Sequence, residues 1–426
     1  MGSFIFPVLR GQYSGSPLTA GLVFLFPVFF LTLRGWTNAI SFLIFFVAIF
    51  HIAKNMNFYL RNRGKSCWWV VGILGAPFLC SLISQLGRGG LVAASLDGPA
   101  RFLMAAIAFI YLSRIKLSYV RLLANGCLLT VCATGISIFL FQDQYWGNRA
   151  ATYFVDPITL PCFLVACLAL TGFHRLNRPR SVWVLVGSYI LIPITIYVVI
   201  QSQSRTSMVA FLGLVLAELY IAFRLKERSS FIAVAATFFV AILVGLYFSD
   251  VVVNRISESV KEVELYFSGI TETSTGIRLG LAEMDVLLFV NNPFFGVADS
   301  SLPPIEWFWE RGVNISQALY EQKVLSGSHN EILARLVREG SFGFLALISL
   351  FIFPLFFFHR LSSSGSFQEA LASWIGWVFC IVIFLSGLTI QVFNLKMTST
   401  FFAFILSMFF AQIASSLDSL EEKNTL

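Results

Sequence analysis

Apolar residues in this chain fall in blocks of about 20, set apart by short polar stretches, and no other feature constrains the fold as strongly. A helix of that length crosses the hydrocarbon core of a bilayer. Backbone groups in lipid must bond within the chain, so the blocks read as helices and not as open strands. A membrane barrel would instead need shorter segments of alternating polarity. The proportions agree: 57% of residues are hydrophobic and 12% charged, with mean hydropathy +0.81. That leaves too little polar surface to cover a water-soluble body of 426 residues. The 46 phenylalanines suit a lipid-facing exterior.

The blocks predict an all-α polytopic membrane protein with twelve spans, at 18–33, 37–53, 68–86, 99–113, 118–141, 156–173, 181–200, 206–223, 230–249, 341–358, 370–389 and 398–416. The first block lacks a small-residue cleavage site and is expected to stay as a helix. The connecting loops alternate in charge. One set carries Lys54, Arg61, Arg63 and Lys65, then Arg114, Lys116 and Arg121, then Arg175, Arg178 and Arg180, then Arg224, Lys226 and Arg228. The other set holds isolated cations such as Arg34, Arg88, Arg149 and Arg205. The positive-inside rule places the first set in the cytoplasm, together with both termini. The chain then divides into nine helices over 1–249, a large outward loop with amphipathic helices over 250–340, and three helices with a cytoplasmic tail over 341–426.

The net charge of +7 does not mark a nucleic-acid surface, because most basic residues flank apolar blocks, where membrane lipids explain them. Six of the seven cysteines lie inside those blocks and read as small hydrophobes, not as disulfides or metal ligands. In the outward loop, Ile277, Leu281, Met284 and Leu288 recur at helical spacing, and Asn291-Asn292-Pro293 ends the pattern. A second helix is predicted from His329 to Glu339, with Ile332, Leu333, Leu336 and Val337 as its apolar stripe.

Chemistry is expected on the outward face. Of the four histidines, His51, His174 and His359 sit among basic residues at the opposite ends of spans. His329 alone faces outward, and its ordinary pKa suits proton transfer near neutrality. Ser328-His329-Asn330-Glu331 fits a capping box, which puts His329 in the first turn of a helix. There the helix dipole favours the neutral imidazole that can act as a base. Capping alone is the competing role. Outward arginines are Arg88, Arg101, Arg149, Arg205 and Arg278. A guanidinium binds phosphate oxygens as a bidentate fork, and interfacial snorkelling is the plainer alternative. The Glu262-x-Glu264 pair reads as a solvated face. No outward D-x-D, P-loop or dinucleotide glycine pattern appears, so no metal, nucleotide or other cofactor is expected.

His329-Asn330, nine residues, Gly340, two residues and Gly343 match the H-[N/S/Q]-x9-G-x-x-[G/T/Y] pattern of O-antigen ligases. Ser204-Arg205-Thr206, Gly276-Ile277-Arg278 and Asn292-Pro293-Phe294-Phe295-Gly296 also resemble that family's loop arginines and N-P-x-x-G turn. The resemblance implies a GT-C-like membrane glycosyltransferase in the inner membrane of a Gram-negative bacterium, with a periplasmic active site. It implies transfer of O-antigen from undecaprenyl pyrophosphate to a sugar hydroxyl of lipid A–core. His329 would then be the base, and Arg205 and Arg278 would bind the pyrophosphate. Arg88, Arg149 and Asn330 are further candidates for substrate contact, Asn330 alternatively orienting His329. Gly340 and Gly343 would shape the turn into the next span. An O-antigen polymerase uses the same donor and is the nearest rival. A transporter is the rival from another class, although the predicted span centres lack the ionisable residues such proteins use.

Overall fold

The computed structural model describes residues 16–60, 64–141, 146, 149–177, 181–224, 232, 234–236, 239, 243, 249–298, 301–313, 315–363 and 366–414. Every regular element among them is a helix. In chain order these are α1 (Pro17–Val28), α2 (Trp36–Lys54), α3 (Met56–Leu60), α4 (Lys65–Gly87), α5 (Ala93–Leu112), α6 (Tyr119–Phe141), α7 (Thr159–Asn177) and α8 (Val182–Gln201). They continue as α9 (Arg205–Arg224), α10 (Ser249–Phe267), α11 (Ser274–Asn291), α12 (Ile305–Trp309), α13 (Gln317–Ser326), α14 (Glu331–Leu361), α15 (Phe367–Gly387) and α16 (Lys396–Gln412).

Among the described residues, nine helices are long and apolar enough to cross a membrane: α2, α4 to α9, α14 and α15. Each coincides with a predicted span. The spans expected at 18–33 and 398–416 appear as the shorter α1 and α16, of 12 and 17 residues. The span expected at 230–249 lies mostly outside the described residues. Of the twelve spans expected, nine are therefore seen at full length among the described residues. α1 is cut short by Pro27, beyond which the chain turns through Gly35 at φ 84°. The Pro27 carbonyl is satisfied by the Thr130 hydroxyl at 2.5 Å. Gly126 allows that approach, because a Cβ there would run into the Phe24 carbonyl and lie 3.2 Å from Pro27 Cδ.

Two helices form the middle of the bundle. α7 is buried from Leu160 to Leu176, and α16 from Thr398 to Ala411. α16 packs chiefly on α5, and its Phe401 ring stacks on Phe30 at 4.0 Å. Outer helices turn Phe46, Phe50, Phe139 and Trp183 outward instead, as lipid contact requires. The one buried ion pair between α7 and α9, Arg175 with Glu218, sits near the end away from the large loop. Arg175 also donates to the Thr171 hydroxyl at 2.9 Å and to the Ser188 carbonyl at 3.3 Å, which offsets the cost of burying the charge.

At the other end, the loops are stitched to one another. Ala150 N bonds the Gln201 carbonyl at 3.1 Å, Val92 N bonds Gln85 Oε1 at 2.7 Å, and Lys396 Nζ reaches Asp97 Oδ2 at 2.5 Å. Helices α10 to α13 sit here, and α11 to α13 share a small core with Val337, built on Leu281, Met284 and Leu288 of the stripe expected from periodicity, with Ile277 at its margin.

Candidate functional site

α9 begins at Arg205, directly after a tight reversal through Ser202, Gln203 and Ser204. Gln203 takes φ 52°, the only positive value at a non-glycine among the described residues. Such strain persists only where surrounding contacts enforce it. Here Ser204 N bonds Ser202 Oγ at 3.2 Å, and Arg149 Nε bonds the Ser202 carbonyl at 2.9 Å. The reversal thus brings Arg149 beside Arg205. Across from them α11 starts with Thr273 as its cap, accepting from Gly276 N at 3.0 Å, and places Arg278 on the same side.

The three arginines line one open cleft, together with Ile158, Gln203, Ser204 and Ser274. Among the described residues, no carboxylate lines it. Arg205 is anchored from behind: its Nη1 donates to Glu262 Oε2 at 3.2 Å and to Thr275 Oγ1 at 3.0 Å. Glu262 also accepts from Thr275 N at 3.0 Å. Burial pushes the Glu262 carboxyl up, yet the bonds from Thr275 and Arg205 hold it below its ordinary value. Glu262 is therefore part of the site's scaffold and not the solvated face expected of it. The Arg278 guanidinium makes no hydrogen bond or ion pair among the described residues. Burial first, then the nearby Arg205 and Arg149, pull its pKa below the ordinary arginine value. A half-buried cation crowded by two others is an anion site.

His329 lies within electrostatic reach of that cluster. Burial and then Arg278 press its pKa below 6.5, with Asp156 opposing. Asp156 caps α7, accepting from Ile158 N and Thr159 N at 2.9 Å each. No sequence signal had singled it out.

The cap of the following helix differs from expectation. Asn330, not Ser328, is the N-cap of α14, its Oδ1 accepting from Ile332 N at 2.8 Å and Leu333 N at 3.1 Å. His329 therefore precedes the helix instead of occupying its first turn. Competing partners decide this. Ser328 Oγ is taken by Lys323 Nζ at 2.8 Å, and Glu331 turns to Arg335 Nε at 2.8 Å and Phe393 N at 3.0 Å. The Asn330 amide is engaged at both ends, since Nδ2 donates to the Leu388 carbonyl at 2.8 Å.

The first part of α14 also buries an unexpected face. Glu331, Arg335 and Glu339 are enclosed, while Ile332, Leu333 and Leu336 are half-buried. Arg335 bridges both carboxylates, at 2.8 Å and 2.9 Å, and Ser81 and Ser84 of α4 bond Glu339. Gly340 then breaks the helix at φ 63°, ψ −150°. A Cβ there would overlap the Phe294 carbonyl and lie 2.8 Å from Gly296 N. The Asn292–Gly296 turn seats in this break through Ser341 N to Pro293 O at 2.7 Å and Val297 N to Val337 O at 2.5 Å. Gly343 makes room for Glu339, whose Oε2 would be 2.7 Å from an added Cβ.

Arg88 joins this knot and not the cleft. Its Nη1 donates to the carbonyls of Phe295 and, at 2.7 Å, of Arg338. Arg101 pairs with Asp97 at 2.7 Å and lies over the Phe42 ring. The structure thus gathers Arg149, Arg205, Arg278 and His329, and sends Arg88 and Arg101 elsewhere. Among the described residues, no three His, Cys, Asp or Glu side chains gather as a metal site would need.

Residues 190–348 match the family model described as O-antigen ligase. The match takes in Arg205, Arg278, His329, Asn330, Gly340 and Gly343 and leaves Arg88 and Arg149 outside it. The match agrees with the family that the motif around His329 resembles. No curated protein matches the chain.

Proposed function

We propose that this chain is an O-antigen ligase of the bacterial inner membrane, joining a lipid-carried polysaccharide to lipid A–core on the periplasmic face. The observation that carries this reading is the cleft in which Arg149, Arg205 and Arg278 meet with no carboxylate among its described lining residues, within electrostatic reach of His329. An undecaprenyl pyrophosphate donor is already activated and carries the charge such a cleft suits. At about 4 Å and an effective dielectric near 20, one guanidinium attracts one phosphate charge by roughly 4 kcal/mol before desolvation. Arg205 and Arg278 hold the pyrophosphate, and Arg149 adds a third cation.

The transfer is a single displacement. His329 takes the proton from the acceptor hydroxyl as its oxygen bonds to C1 of the donor sugar. The C1–O bond to phosphate breaks in the same event, and the arginines stabilise the charge left on the pyrophosphate. Attack from the opposite face inverts the anomeric centre. The depressed pKa of His329 keeps the ring neutral and ready to accept that proton. Asn330 holds the backbone at His329 through its cap and its bond to Leu388.

The experiment is lipopolysaccharide banding in a strain lacking its own ligase but supplying the chain's native core and polymer. Wild-type protein restores the ladder, and His329→Ala, at equal abundance in the membrane, does not. A ladder from His329→Ala removes the base assignment. If wild type restores nothing while lipid-linked polymer accumulates, the ligase reading fails. If polymer length then changes, the chain is a polymerase.

A further inference from the structure

The His329 ring makes no hydrogen bond among the described residues, whereas a catalytic imidazole is ordinarily oriented by a third group bonded to it. The backbone on either side of it is held instead. On the far side is the Asn330 cap. On the near side is a buried charged triangle. Asp285 comes from the inner face of α11 and Lys323 from α13, and their side chains form an ion pair. Lys323 Nζ also donates to Ser328 Oγ at 2.8 Å. Asp285 is 1% exposed, Lys323 7% and Ser328 3%, so the triangle is closed to solvent.

A second contact holds the same two residues from the opposite direction. Gln391 Nε2 donates to the Ser328 carbonyl and to the Ser326 carbonyl at 3.2 Å. Gly327 turns between them at φ 68°, and a Cβ there would lie 2.7 Å from Gln391 Nε2. Segment 326–330 is therefore clamped between α13 and the loop after α15.

A buried ion pair is a poor route to stability. Apolar residues of similar volume in its place are often neutral or stabilising. What an apolar pair does not supply is a directional bond to the Ser328 hydroxyl. We infer that the Asp285–Lys323–Ser328 triangle is a positioning device that sets where the His329 imidazole stands relative to the arginine cleft. This rests on His329 being the base of the proposed transfer. A displacement of about 1 Å at a reacting group costs about 100-fold in rate.

The test uses the full chain purified in detergent, with lipid-linked donor and core acceptor. Two variants are compared with wild type: the double substitution Asp285→Leu with Lys323→Met, and the single Ser328→Ala. Both keep the thermal midpoint within a few degrees of wild type. Their kcat falls about 10- to 100-fold, with KM for the lipid donor within about twofold, and Lys323→Arg recovers part of the loss. His329→Ala is assayed alongside. If it is inactive while the double variant and Ser328→Ala keep wild-type kcat, the triangle is structural and the inference is overturned, though the base assignment stands. A drop in thermal midpoint with kcat unchanged has the same meaning. If His329→Ala keeps wild-type kcat, the base assignment fails and the inference fails with it.

Discussion

Replacing Gly340 with alanine tests the architecture beneath the site without touching any charged group. At φ 63°, ψ −150° this residue occupies backbone space that is almost closed to any side chain. Forcing alanine there costs about 1–3 kcal/mol in strain alone. The new methyl would also overlap the Phe294 carbonyl and stand 2.8 Å from Gly296 N, and both neighbours are backbone. Neither can swing aside, so the Asn292–Gly296 turn must lift off. It would release the bonds from Ser341 N and Val297 N, at about 1 kcal/mol each. The sum is about 3–5 kcal/mol, among the larger losses a single substitution produces. The control is Gly187→Ala in α8, where nothing lies within 4 Å of an added Cβ and alanine is the better helix former by about 1 kcal/mol. Heating detergent-purified protein and following the surviving monodisperse peak gives the comparison. Gly340→Ala loses its peak many degrees below wild type, and Gly187→Ala matches or exceeds wild type. A Gly340→Ala protein as heat-resistant as wild type would refute the reasoning that this glycine is held in a backbone region closed to side chains.

Two further outcomes follow from the same geometry. Arg149→Ala raises KM for the lipid donor by 10-fold or more, on the order of a lost charge-assisted hydrogen bond, and lowers heat resistance only by the one structural bond it gives up, to the Ser202 carbonyl. Arg88→Ala does the reverse, because its guanidinium bonds the Phe295 and Arg338 carbonyls; equal donor KM effects in the two would show that the cleft is wrongly drawn. The pH profile of kcat/KM has its acid limb below 6.5, because burial and Arg278 disfavour the protonated His329 that cannot act as base. Removing that cation in Arg278→Gln lets the imidazole hold its proton to higher pH, so the limb moves upward. A limb unmoved by Arg278→Gln argues that a group other than His329 titrates.

The membrane helices were readable because lipid leaves the backbone no alternative, and nine of them fall where the apolar blocks do. α1 and α16 show the limit of that signal: Pro27 lies at the end of the first, and the second is shorter than its apolar block although it is buried along nearly its whole length. The motif around His329 was legible in its spacing but not in its geometry. Ser-x-x-Glu is a local pattern, and the partners that overrule it, Lys323 and Phe393, lie 5 and 62 positions away from the residues they bind. Arg88 and Arg149 look alike in sequence, each an isolated cation in a short loop. Only the meeting of the Asn292–Gly296 turn with α4, and of residue 149 with the Ser202 reversal, tells them apart. Glu331, Arg335 and Glu339 show the opposite failure, for their spacing of four marks a helix face but gives no hint that the charged face is the buried one.

The central place of α16 bears on how the protein is made. It is synthesised after all the helices named before it, yet it fills the interior, against α5 above all and also against α2 and α6. Those helices leave the ribosome hundreds of residues earlier and must wait in the bilayer with their inner faces against lipid. The bundle cannot close early, because a vacancy the width of a helix has to be kept for a latecomer carrying Phe401, Phe402, Phe404, Phe409 and Phe410. Entry of α16 displaces lipid from the vacancy, and with it the loop between α15 and α16 delivers Gln391 to the backbone before His329. The site is thus completed only once α16 has entered, and a nascent chain halted before α16 holds every cleft arginine and the histidine without the packed loop that sets Gln391 against Ser328.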